Sequence, residues 1–272
     1  MNRAQALHTA ARRYCMVQYK FWREKYWFEL VEKGLTRSGS AYTPEALAMF
    51  PRYNVLNAVL IEVERIDSET LTDLEKARED LILAGKLGED VSTSGPKDEI
   101  SSKTMADERE RFCNFLLQQT ADSLKEIAPL PFRRVLSRAE RDSVWAKVRD
   151  RWQIIEPWFP LDIDSRADLF TFKAKAFETG VQASTLKEFL TARRIIRLWE
   201  LREFGADYTE SIEWFEPVYY NGAEGFWSSE GFDWFVFASH ESSITVGGWL
   251  LDSIRKIWPS WQEHAWSPAN IG

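Results

Sequence analysis

The chain is poor in the residues that carry most protein chemistry, with two cysteines and three histidines in 272 positions. Cys15 and Cys113 stand far apart and no CxxC pair occurs, so a disulfide framework is excluded and a reducing, cytoplasmic setting is expected. His8, His240 and His264 are never three or four positions from one another, and HExxH and EF-hand spacings are absent. No metal is therefore expected; a carboxylate-only magnesium site is the one metal chemistry the composition leaves open. The chain also lacks GxxxxGK[ST], GxGxxG and GxSxG, which removes the common phosphate loops and the strained serine elbow. No cofactor is expected. Long apolar runs are missing too: no segment approaches the ~18 residues of a membrane helix, and the opening MNRAQALHTAARRYC has no signal-peptide core.

What is present is aromatic and charged. Trp (13), Phe (17) and Tyr (8) are abundant and 44% of residues are apolar, so most of the chain can bury a core. The net charge is −7, unevenly spread along the sequence. From Glu203 to Gly272 eleven Asp and Glu face only Arg255 and Lys256, whereas Met1 to Arg37 holds eight Lys and Arg against three Glu. A basic beginning and an acidic end result.

Periodicity assigns the first half to helices. Leu7, Tyr14, Phe21 and Phe28 recur every seven residues with Ala10, Val17 and Val31 three places on, and Cys15, Tyr19, Trp22 and Tyr26 form a second stripe. This predicts one long helix from Met1 to about Gly34, covered on two sides. Further helices are expected from Thr43-Pro44, over 53–66, from Ser68 or Thr70 to about Leu87, and over 105–127. GEDVSTSGPKDEISSK, about 88–103, has the composition of a flexible linker. Capping boxes at Ser137–Glu140 and Thr185–Glu188 predict two helix starts.

The second half changes character. EPWFPLD, DLFTF, a segment near 195–200, WFEPVYY, FDWFVFAS and SITVGG look like strands, too closely spaced for crossovers, and WLLDSIRKIW reads as a closing helix after Gly247-Gly248. The expected fold is α+β: a helical region over 1–128 with its linker, then an α+β domain over 129–272 built on an antiparallel meander with packing helices.

Chemistry is scarce even here. Ser239-His240-Glu241-Ser242-Ser243 offers every group of an acyl-transfer triad, but neighbours on an extended chain point apart, so a polar hairpin tip is expected, with Glu241 in water. His240 and Glu241 stay as weak catalytic candidates. The basic residues of the first helix form no continuous stripe, which argues against nucleic acid. Exposed aromatics beside carboxylates suit protein recognition, and Trp258, Trp261 and Trp266 in a Pro-bounded tail have that composition. The expectation is a cytoplasmic, bacterial, non-enzymatic protein that binds a basic protein partner, as an immunity or inhibitor protein does, through Glu213, Glu216, Glu224, Trp227, Glu230, Asp233, His240 and Glu241. The alternatives are a hydrolase using His240 with a carboxylate, and a scaffold subunit joined through the first helix.

Overall fold

A computed structural model describes residues 1–34, 43–154, 166–219 and 223–267. The chain divides into two compact units, Met1–Leu130 and Pro131–Gly272. EPWFPLD lies outside the described residues.

The first unit is a helical bundle of α1 (Arg3–Glu32), α2 (Pro44–Leu47), α3 (Phe50–Arg65), α4 (Leu74–Leu87) and α5 (Glu99–Gln118). α1 starts on a capping box in which the Asn2 side chain accepts from the Gln5 amide while the Gln5 side chain accepts from the Asn2 amide. Its core joins Leu7, Ala11 and Cys15 to Val55, Val59 and Val63 of α3, Leu81 of α4 and Phe112 and Leu116 of α5. The stripe containing Cys15, Tyr19 and Trp22 packs on this core, but Val17, Phe21, Phe28 and Val31 are exposed. α1 is therefore covered on one side along its C-terminal half, not on two.

Local corrections follow from caps. α4 is capped by Asp73, which accepts from the Lys76 amide, so its start lies beyond Ser68 and Thr70. Asp98 caps α5 in the same way, placing residues 99–103 in the first turns of a helix and not in a linker. The connection before it is pinned as well: the Asp90 carboxylate accepts from the amides of Ser92 and Thr93, and the Arg109 guanidinium donates to the carbonyls of Gly85 and Gly88.

The second unit is one seven-stranded sheet, antiparallel throughout, in the order β1-β4-β3-β5-β6-β7-β2. The strands are β1 (Arg133–Val135), β2 (Leu169–Lys173), β3 (Arg197–Arg202), β4 (Tyr208–Ser211), β5 (Gly225–Ser228), β6 (Trp234–Ser239) and β7 (Ser243–Gly248). Helix α6 (Arg138–Trp152) lies on one face, where Trp145, Val148 and Trp152 meet Phe226, Phe235 and Phe237. Helices α7 (Ala174–Gly180), α8 (Ala183–Ala192) and α9 (Trp249–Ile257) cover the other, around Phe172, Trp227, Trp234, Val236 and Val246. FDWFVFAS is apolar at nearly every position because β6 is central and both its faces are buried.

The Ser137–Glu140 capping box forms in full at the start of α6. The one expected at Thr185 does not: α8 begins at Ala183, so Thr185 is already inside the helix. Over its described residues 214–219, WFEPVYY is not a strand either. The chain pairs earlier, as β4, then makes a 3₁₀ turn over Ile212–Trp214, and Phe215 drops into the core beside Pro217, which has no amide to offer a ladder.

Candidate binding surface

Strand direction sorts the expected contact residues to opposite ends of the sheet. Gly225 of β5 pairs with Ala238 of β6, and Ser239 with Ser243 of β7, so Glu224, His240 and Glu241 share one end. The β5–β6 turn with Glu230 and Asp233 lies at the other, together with the start of β3 and the end of β4 near Glu213, since Arg197 pairs with Ser211 and Trp199 with Ser228.

At the first end, SHESS is a hairpin tip. Ser239 and Ser243 close the ladder and Ser242 takes the left-handed conformation that completes the three-residue turn (φ 57°). The buried Glu224 carboxylate holds it together. Its Oε1 accepts from Ser239 Oγ at 2.6 Å and from the His240 amide at 3.2 Å, and lies 2.6 Å from His240 Nδ1. His240 Nε2 faces Glu241 Oε1 at 3.0 Å. Both ring contacts are donations only when both nitrogens carry hydrogen. Glu241 is thus not pointing into water: it is partly buried against His240, and its carbonyl accepts from Trp266 Nε1 at 2.9 Å. The Ser239 hydroxyl serves Glu224 and receives the Glu241 amide, so it does not face the imidazole as a nucleophile would.

Glu224 and Trp227 are each 1% exposed and cannot meet a partner. Trp227 lies across Gly225, where any Cβ would collide with the indole, and is core. The tail tryptophans are spent inside the unit as well. Trp258 stacks on Phe172 (5.4 Å between centroids) and on His264 (4.7 Å), Trp261 meets Phe170 edge-on (4.6 Å), and Ala265 bridges to Phe172. The tail covers β2, the edge strand, which otherwise would offer unpaired backbone.

The acidic excess also shrinks on folding. Asp207 is buried against Trp145 Nε1 (3.2 Å) and Arg141 Nε (2.8 Å), and burial pushes its carboxyl above the ordinary range. Glu210 is buried beside Arg133 (3.0 Å); desolvation, then the neighbouring Glu200 carboxylate, pushes it well upward. Glu200 is held by Arg133 Nη2 at 2.6 Å and by Arg202 Nε and Nη2 at 2.8 and 2.7 Å. Arg133 and Arg141 come from outside the acidic segment. Counted by compact unit, 18 basic residues face 21 acidic in the first and 17 face 21 in the second, so the two units carry similar net charge although the sequence is basic at one end and acidic at the other.

Five expected residues, Glu213, Glu216, Glu230, Asp233 and His240, are exposed, and Glu216, Glu230 and Asp233 line two concavities. A pocket of about 270 Å³ is floored by Phe177, Val181, Leu186 and Pro217 and rimmed by Glu178 and Glu216. A cleft of about 600 Å³ has Arg193, Arg194 and Arg197 on one wall, Glu230 and Asp233 on the other, and Trp249 between them. The arginine wall was missed by sequence reasoning, although three Arg within five positions of TARRIIR were its signal. Among the described residues no three His, Cys, Asp or Glu side chains are grouped to hold a metal ion, and no helix is long and apolar enough to cross a membrane. No protein-family description, curated protein or solved structure matches this chain.

Proposed function

We propose that the chain is a recognition protein whose α+β unit receives a basic protein in the acid-rimmed pocket between α7, α8 and the segment after β4, in the manner of an immunity or inhibitor protein. One observation carries this reading: Glu178 and Glu216 stand on the rim of an apolar pocket and neither has an ion-pair partner among the described residues. A volume of about 270 Å³ admits one long side chain. A Lys or Arg fits it in both halves, with its methylene stem on Phe177, Val181 and Leu186 and its head at the rim carboxylates. The exposed Glu213 beside it adds to the field that speeds encounter.

Affinity capture from the native organism, with the wild-type chain and a Glu178→Lys, Glu216→Lys variant side by side, tests the reading. The wild type should retain a protein of basic isoelectric point, released by raised salt, and the double reversal should lose it. Retention of the same protein by both baits, or an acidic partner, would overturn it. One observation favours a second reading: a buried carboxylate 2.6 Å from an imidazole Nδ1 is how an orienting acid holds a general base. That hydrolase reading needs a nucleophile at Nε2, where Glu241 stands.

A further inference from the structure

The 600 Å³ cleft at the β5–β6 turn carries two walls of opposite sign that do not close on each other. Arg194, Glu230 and Asp233 form no ion pair with any described residue, although all three line the same space. Arg193 is fixed by stacking, its guanidinium carbon 4.2 Å from the centre of the Trp249 ring, which leaves its N–H edge free to donate. The indole Nε1 of Trp249 is buried without an acceptor.

The backbone shapes this cleft as well. Four described residues other than glycine adopt positive φ, and two of them flank this cleft: Arg194 at 59° and Phe232 at 48°. Arg194 sits just past the end of α8, its amide donating to the Thr191 carbonyl at 2.8 Å, where helices ordinarily place glycine. Phe232 is anchored by stacking on Trp199 (4.8 Å) and sits between Glu230 and Asp233. These two turns, one ending α8 and one before β6, fix where the arginine and carboxylate walls stand.

We infer that this cleft binds a short peptide segment carrying both signs of charge, its carboxylate received by Arg193 and Arg194 and its cationic group by Glu230 and Asp233. Guanidinium pairs match a planar carboxylate with parallel hydrogen bonds, while the facing carboxylates repel a polyphosphate and attract an ammonium or guanidinium. This site is separate from the pocket of Glu178 and Glu216.

The test is titration calorimetry of the full chain with three blocked tripeptides, acetyl-Asp-Gly-Lys-amide, acetyl-Asp-Gly-Asp-amide and acetyl-Lys-Gly-Lys-amide, and with inorganic triphosphate. The mixed-sign peptide should bind at least tenfold more tightly than the other three probes. Arg194→Gly should weaken it at least tenfold while the melting temperature holds or rises, because glycine relieves the positive φ. Glu230→Gln with Asp233→Asn should weaken it similarly, and Glu178→Lys with Glu216→Lys should leave it unchanged. No heat from the mixed-sign peptide at several millimolar, tighter binding of triphosphate or a like-charged peptide, or undiminished affinity in Arg194→Gly would each overturn the inference.

Discussion

The two units bury charge in different ways. In the helical unit arginines gather on buried carboxylates: Arg12 lies 2.9 Å from Glu64, and Glu108 is shared by Arg52 at 2.9 Å and Arg111 at 3.3 Å, while His8 Nε2 lies 2.9 Å from the Val63 carbonyl. In the α+β unit two buried carboxylates meet at one arginine. Glu200 and Glu210 share Arg133, so one of them, Glu210, is driven toward its protonated form. Glu224 is satisfied by hydroxyl, amide and imidazole donors together. Buried charge in both units is engaged by structural partners, and the proposed recognition rests on the carboxylates left unpaired at the surface.

Trp227 gives the largest test of that division. Trp227→Ala should cost about 3–5 kcal/mol of stability in the α+β unit, read as protection lost in hydrogen exchange along β5 and β6, with α1 and α3 unaffected. A stable variant that had lost only partner binding would return Trp227 to the surface account.

The helical unit should show its own acid sensitivity through His8. Burial is the main cause lowering its pKa from 6.5 to about 4. Between those values the unfolded chain binds a proton that the folded one refuses, so stability falls as pH drops through that window, by up to about 3 kcal/mol. Denaturant unfolding of α1 and α3 from pH 7.5 to 4 should show this slope, and His8→Asn should flatten it.

The carboxylate pair sharpens the contrast at a smaller scale. Glu200→Gln removes the charge that Arg133 and Arg202 bind and should cost about 2 kcal/mol at pH 7. Glu210→Gln should cost far less. Because the folded pKa of Glu210 is raised, wild-type stability declines as pH rises through the gap between its unfolded and folded values, and the Gln variant should lack that decline. Equal losses in both variants would mean that both carboxylates are ionised. Smallest is the cap of α6, where Ser137→Ala should cost about 1 kcal/mol and lower the melting temperature of the α+β unit alone.

These residues also mark what the sequence could convey. Ser137 and Glu140 were readable because a capping box is written within four positions. The division into a helical half and an antiparallel half was readable from periodicity and from the short spacing between strands. The interior of the charge map was not: Arg133 and Glu200 are 67 positions apart, and no local pattern says which carboxylate of an acidic run turns inward. Glu224 and Glu230 look alike in sequence, yet one is sealed under a hairpin and the other stands on a turn. The tail misled for a related reason, since Trp258 and Trp261 pack on Phe172 and Phe170 of an edge strand nearly 90 positions earlier. Along α1 both aromatic stripes were visible, and only the position of α3 determined which one was covered.

The central claim is that the unpaired carboxylates around the Phe177–Leu186 pocket, and not the His240 hairpin, meet the partner. Hydrogen–deuterium exchange of the chain with and without its captured partner measures this directly. Protection should rise over residues 177–186 and 213–218 and stay constant over 239–243. Protection confined to the hairpin, with the pocket segments exchanging as in the free chain, would contradict it.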